Sequence, residues 1–251
     1  LSALAGAVNR MLDRVQRSVE TQRELLDDVG HELRTPITVV RGHLELIDAA
    51  DPDDVRQTRE LALDELDRMG TLVAGLLEVA RSSSVDFVSP APTDVAALTA
   101  QVFDKARALG PRDWVLDSSA EATAVLDPTR VTEAWLELAT NAVKYSPPGS
   151  PIRLGSLVAG DELLLRVEDR GIGIAPEDLP TIRRRLARAP QAAAMAPGTG
   201  LGLSVVENIA AAHGGALDVE SAPGRGSIFT LRLPLGTPGA RRAANESGGP
   251  P

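Results

Sequence analysis

The sequence predicts an α+β chain in two parts: a helical hairpin that pairs with a second copy into a dimeric antiparallel four-helix bundle, then an α/β sandwich. Three observations carry this. Leu1, Leu4, Val8, Met11 and Val15 recur at spacings of 3, 4, 3 and 4, a coiled-coil seam that runs on through Ser18 and Gln22 to Leu25 and Val29. Residues 82–92, rich in Ser and Pro, break that pattern. Beyond Thr93, short β-type runs alternate with helical periods.

In the first part, the spacing becomes 4 from Leu25 through Val29 and Leu33 to Ile37, then alternates again at Val40, Leu44 and Ile47, so the heptad register slips over residues 29–37. Ala49-Ala50-Asp51-Pro52 ends the helix, with Asp51 placed to cap the next one and Pro52 to fill its first turn. The second helix carries Val55, Ala62, Leu66, Met69, Val73, Leu76 and Ala80. An isolated hairpin with such a stripe exposes too much apolar surface, and a homodimer is the expectation that follows. In the second part, strands are predicted at 114–116, 124–126, 152–158, 163–167, 216–221 and 227–233. Helices are predicted at 128–145 and 201–213, the latter ending at Gly214-Gly215. The predicted divisions are 1–20, 21–85, 86–235 and a tail, 236–251, whose Gly, Pro, Ala and Arg show no apolar period and which is expected to be disordered.

Composition excludes several classes of function. The net charge is −9, so the chain repels polyphosphate backbones and no nucleic-acid partner is expected. Cysteine is absent, which removes disulfides, thiolate metal sites and cysteine nucleophiles. Only 2% of residues are aromatic, so Leu, Val, Ile and Ala must build the core. No apolar run approaches the roughly 18–20 residues that cross a bilayer. The chain begins at Leu1 in mid-pattern, and the expectation is a fragment of a longer protein whose sensory or membrane part lies upstream.

Four constellations carry chemistry. His31-Glu32-Leu33-Arg34-Thr35-Pro36 sits at the register slip, where His31 takes heptad position c or b and faces out of the bundle. A neutral imidazole is a good nucleophile near pH 7, and the neighbouring Glu32 can orient it or accept its proton. Pro36 should bend the helix beside it. His43 and His213 read instead as ordinary surface histidines. On the helix after Pro128, Glu137 and Asn141 lie four apart on one face, as do Asn141 and Lys144 three apart, with Tyr145 next. Carboxylate and amide oxygens suit a hard cation such as Mg²⁺, and Lys144 suits phosphate. Asp169-Arg170-Gly171-Ile172-Gly173 follows a strand, with glycines that let backbone approach a ligand. Gly198-Thr199-Gly200-Leu201-Gly202 opens a helix whose free amides form an anion site.

The stretch Asp28-Val29-Gly30-His31-Glu32-Leu33-Arg34-Thr35-Pro36 resembles the phosphoacceptor box of the sensor histidine kinases of bacterial two-component systems. His31 matches the phosphorylated residue, and Thr35 the position that in the family helps place water when the response regulator is dephosphorylated. Residues 1–20 resemble the second helix of a HAMP signalling module. The order of the other three motifs is similar to the N, G1 and G2 boxes of the Bergerat-type ATP-binding domain that these kinases share with gyrase-type topoisomerases and the large heat-shock chaperones. That resemblance implies that Asn141, with Glu137, holds Mg²⁺, that Asp169 binds the adenine amino group, and that Gly171 and Gly173 shape its pocket. It places Lys144, Tyr145, Gly198, Thr199, Gly200, Leu201 and Gly202 beside the nucleotide, Gly198, Gly200 and Gly202 bordering its phosphates. It further implies ATP and Mg²⁺ as cofactors, a cognate response regulator as partner, and a core on the cytoplasmic side of an inner-membrane-anchored protein.

The chain departs from the family in two places. Glu137 stands where the kinases usually have Asn, the arrangement of hydrolytic relatives, which keeps an ATPase reading open. Between Gly173 and Gly198 the usual aromatic lid box is missing, and the chain reads Leu179-Pro180-Thr181-Ile182-Arg183-Arg184-Arg185-Leu186-Ala187-Arg188. A lid with little apolar area is expected to hold poorly against the domain, with Arg183 part of a solvated charge run or a phosphate contact. A pseudokinase that only docks a regulator is the third reading.

Overall fold

The structure is a computed structural model and describes residues 30, 33–82, 87–183, 187, 189–195 and 200–236. The expected signalling helix 1–20, the nucleophile His31 with Glu32, the glycine-loop residues Gly198 and Thr199, and the tail beyond 236 lie outside the described residues. The chain divides into two compact units, Leu1–Ser83 and Ser84–Pro251.

The described part of the first unit is helical. Helix α1 (33–46) runs through Pro36, which is buried. Helix α2 (Pro52–Ser82) starts where Asp51 predicts: its carboxylate accepts from the Asp53 N–H at 2.9 Å, and Asp53 and Asp54 place negative charge in the first turn. The Asp48 carboxylate closes the turn by accepting from the Ala50 N–H. Ile37, Leu44, Val55, Leu66 and Val73, all positions of the predicted stripe, are 39–53% exposed within one chain.

The second unit is a two-layer sandwich. Its main sheet has the order β2-β4-β5-β7-β6, from β2 (Asp113–Ser118), β4 (Pro151–Ala159), β5 (Glu162–Glu168), β6 (Ala216–Ala222) and β7 (Gly226–Pro234). Among the described strands of this sheet, only the β2–β4 pair is parallel. Alternation along β5 and β7 puts Leu163 opposite Leu233, Leu165 opposite Leu231 and Val167 opposite Phe229, each buried on one face. Helices α3 (Val95–Arg107), α4 (Pro128–Tyr145) and α7 (Gly202–Ala212) form the second layer. Trp135 of α4 is fully buried over β5, with its indole N–H donating to the Arg166 carbonyl at 3.2 Å. Two short helices, α5 (Leu179–Ile182) and α6 (Pro190–Met195), lie between β5 and α7.

Strand β1 (Ala91–Asp94) and helix α3, like the short α5 and α6, escape the sequence pattern. Strand β1 pairs antiparallel with β3 (Thr123–Leu126), and α3 follows with Asp94 accepting from the Ala97 N–H as its cap. Just before β1 the chain is pinned onto the start of α4. Phe87 is 6% exposed under the Arg130 guanidinium, 4.5 Å from its ring centre, and the Ser89 N–H donates to Asp127 at 2.9 Å. Asp127 also caps α4, and its own N–H donates to Nε2 of His213 at 3.0 Å. His213, read from the sequence as a surface residue, therefore joins the end of α7 to the start of α4.

Candidate functional site

The site is built along the second half of α4. Asp127 at the cap and Pro128 in the first turn fix where this helix begins, and Val131, Ala134, Trp135, Leu138, Ala139 and Ala142 fix which face is buried. Glu137 and Asn141 are left half-buried, one turn apart, facing the start of α7. A Cβ added to Gly202 would lie 2.7 Å from Glu137 Oε2 and 3.9 Å from Asn141 Nδ2, so both side chains lie against the first turn of α7 and a larger residue there would displace the Glu137 carboxylate. Gly200 holds a positive φ of 72° and Leu201 is 2% exposed, which seats the remainder of this loop in the core. Burial raises the Glu137 carboxyl above its usual range, opposed by the Lys144 charge and reinforced by Glu133.

The last turn of α4 meets a second cluster. Asp169 follows the end of β5 and is 4% exposed; its N–H donates to the Ser227 carbonyl, and its carboxylate accepts from the Gly171 N–H at 2.7 Å. Burial pushes its pKa up to about 6, with the Gly171 bond pulling the other way. A Cβ on Gly171 would collide with the Tyr145 carbonyl, which accepts from the Ile172 N–H at 3.1 Å. Gly173, at φ 69°, would collide with the Ala222 carbonyl if it carried a side chain. The Ser221 hydroxyl accepts from the Ile174 N–H at 2.8 Å and bonds Ser227, tying the loop to β6 and β7.

Thus Glu137, Asn141, Gly200, Leu201 and Gly202 come together at one end, and Tyr145, Asp169, Gly171 and Gly173 at the other, joined by a single turn of α4 of about 5.4 Å pitch. Lys144 is exposed on the same helix, and Thr35 is exposed on α1. Ser221 and Ser227, which fix the Asp169 loop, carry no motif; only the register of β6 against β7 brings them there.

Among the described residues between the two glycine motifs, Arg183 differs from expectation. Ile182 is 8% and Ala189 6% exposed, and Arg183 pairs with Glu207 of α7 at 3.2 Å while donating to the Leu217 carbonyl at 3.1 Å. Arg183 is therefore an anchor between α5, α7 and β6 rather than part of a solvated charge run. Burial raises the Glu207 carboxyl, with the Arg183 charge opposing it. The pair is partly exposed and contributes at most about 1 kcal/mol.

Residues 21–84 match the family described as His Kinase A (phospho-acceptor) domain, and residues 126–237 match the histidine kinase-, DNA gyrase B- and HSP90-like ATPase family. The chain belongs to the bacterial sensor histidine kinases. The sensor-like histidine kinase SenX3 of Mycobacterium tuberculosis is 33% identical over 225 residues, covering 87% of this chain and 55% of SenX3. Among solved structures, this sensor histidine kinase core is similar to the Acinetobacter baumannii histidine kinase AdeS, with TM-score 0.60 and 26% identity over 82% of this chain and 98% of the other. It shares its fold with histidine kinase ThkA in complex with response regulator protein TrrA, with TM-score 0.64 and 22% identity over 85% of this chain and 61% of that one. The kinase core spans about half the length of the curated relatives it matches. No described helix is long and apolar enough to cross a membrane.

Proposed function

We propose that this core binds Mg²⁺-ATP in its second unit, transfers the γ-phosphoryl group to His31, and passes it to an aspartate of a cognate response regulator. The observation that carries the nucleotide reading is Asp169, an anionic acceptor 4% exposed at the mouth of a glycine cradle that side chains would fill. Adenine offers the amino donor such a buried carboxylate needs. Gly171 and Gly173 leave room for a flat base against backbone. The amides at the start of α7 and the oxygen of Asn141 suit phosphates and their cation. Glu137 and Asn141 would hold Mg²⁺, with phosphate and water oxygens in its other positions.

In the transfer, a His31 ring nitrogen forms the P–N bond as the bond from phosphorus to the ADP oxygen breaks, in line. Glu32 orients the ring through the N–H of its other nitrogen and takes that proton as the P–N bond forms. Thr35 serves the reverse task, placing water for a phosphatase activity toward the regulator. The kinase works as a homodimer through residues 21–85, which accounts for the exposed apolar positions of α1 and α2. The longer protein is anchored in the cell membrane with this core on the cytoplasmic side, in keeping with relatives of which this chain covers about half.

Incubation with γ-labelled ATP tests this: acid-labile, base-stable label should appear on the chain. Release of all label as phosphate would make Glu137 the base of an ATPase instead, and no turnover would leave a docking module. Asn141→Ala should lose the Mg²⁺-dependent part of nucleotide affinity, because one oxygen ligand is gone. An affinity in Mg²⁺ equal to wild type, measured by calorimetry, would remove Asn141 from the cation site.

A further inference from the structure

The end of α4 is finished by its own C-cap residue and by groups from two other segments. The last four carbonyls of a helix have no intrahelical donor. Here Ala142 accepts from the Ser146 hydroxyl, Tyr145 accepts from the Ile172 N–H, and Val143 accepts from Nη2 of Arg112 at 2.8 Å. The same Nη2 donates to the Ser146 carbonyl at 3.2 Å, just past the helix, while Nη1 holds the Pro111 carbonyl at 3.0 Å. Arg112 stands between α3 and β2, outside every sequence motif of the site. Its loop is bound on both sides: Gly149 N–H donates to the Pro111 carbonyl, and Asp113 N–H to the Ser150 carbonyl at 3.2 Å. Gly110 lets the loop come close, since a Cβ there would lie 3.1 Å from Val143 Cγ1.

We propose that Arg112 is a positioning residue for the base end of the nucleotide site. It touches no nucleotide. It fixes the last turn of α4 and so the Tyr145 carbonyl, against which Gly171 fits with no room for a side chain and to which Ile172 is bonded. The Gly171 N–H in turn directs the Asp169 carboxylate. A guanidinium suits this work because its charge meets the negative end of the α4 dipole and its fork spans two carbonyls. The chain Arg112, Tyr145, Gly171, Asp169 ends at the base and leaves out Asn141 and the start of α7. Its loss should therefore weaken binding of the base and leave the transfer step alone. This inference rests on the reading of the second unit as an ATP site.

The test uses the whole chain with Arg112→Met and Arg112→Lys, reading ADP affinity by calorimetry, and KM and kcat of autophosphorylation. Arg112→Met should raise the ADP Kd and the ATP KM about tenfold, with kcat at saturation held within about twofold. Preference for ADP over GDP should shrink in the same proportion, because a misdirected Asp169 no longer singles out the amino group, a change that simple destabilisation would not produce. Arg112→Lys, which keeps a charged donor at the helix end, should recover part of the affinity and carries the test if the Met variant does not fold. An unchanged Kd and base preference in either folded variant, or a fall in kcat without a rise in KM, would overturn the proposal. Wild-type chain that binds no ADP would instead overturn the ATP-site reading on which it stands.

Discussion

His31→Gln chain incubated with Mg²⁺ and γ-labelled ATP is expected to carry no acid-labile label while binding ADP as tightly as wild type. The glutamine amide approximates the size and polarity of imidazole, but its nitrogen is conjugated to a carbonyl and is not a nucleophile near neutral pH, so loss is total rather than partial. Nucleotide affinity should hold because the proposed acceptor and the Asp169 pocket belong to separate compact units, Leu1–Ser83 and Ser84–Pro251. The measurement needs both arms. Label persisting on His31→Gln would move the acceptor elsewhere, and a lost ADP affinity would mean that the substitution had damaged more than the nucleophile.

Asp169→Asn is expected to act in opposite directions on stability and binding. The Asp169 pKa is raised from 3.8 to about 6 by burial, so the folded, nucleotide-free state binds this proton more tightly than the unfolded chain. The group's contribution to stability is therefore fully present below about pH 4 and is lost as pH rises through about 6. At pH 7 the ionised carboxylate costs the empty domain up to about 3 kcal/mol. Asparagine keeps an oxygen for the Gly171 N–H and carries no charge, so the empty variant should melt several degrees higher than wild type at pH 7, with the gap closing toward pH 4. Binding should suffer by about 1.5–3 kcal/mol, the usual range for a hydrogen bond to a charged group. By linkage, adenine nucleotides binding to wild type near pH 6 should release protons, seen as a buffer-dependent heat that the Asn variant lacks. A variant that binds ADP normally would place the adenine amino group elsewhere; one that melts lower would mean Asp169 contributes net stability through contacts other than its charge.

What could be read from the sequence follows from where periodicity is strong. Helix α4 was predicted at the residues it occupies because Asp127 and Pro128 mark its start and a wide apolar face runs through it. Strands β5 and β7 were legible because one face is buried and the other is not, which forces alternation. Strand β1 was not, because Ala91-Pro92-Thr93-Asp94 is a short edge segment with a proline and no apolar alternation, and its strand character exists only in its pairing with β3. In the site, the glycines and Asp169 stood out because close backbone approach admits few residue types. Arg112, Ser221 and Ser227 act through backbone groups and through register, which leave no spacing to read. The anchoring of Arg183 escapes the sequence for a related reason: a run of arginines looks alike whether solvated or paired, and its partners Glu207 and Leu217 lie far along the chain.

The pinning of Phe87 and Ser89 to the head of α4 sets the terms on which this ATP-binding unit can be transplanted. A graft cut at Thr93, where the helical and strand patterns first change, would discard half of β1, strip the Ser89 donor from Asp127 and remove the ring beneath Arg130. Burial of a phenylalanine side chain alone is worth about 1.5–3 kcal/mol. Chimaeras that join this unit to a foreign hairpin should keep everything from residue 87 onward and place the seam upstream, since the segment that looks like spacer in the sequence is part of the cargo.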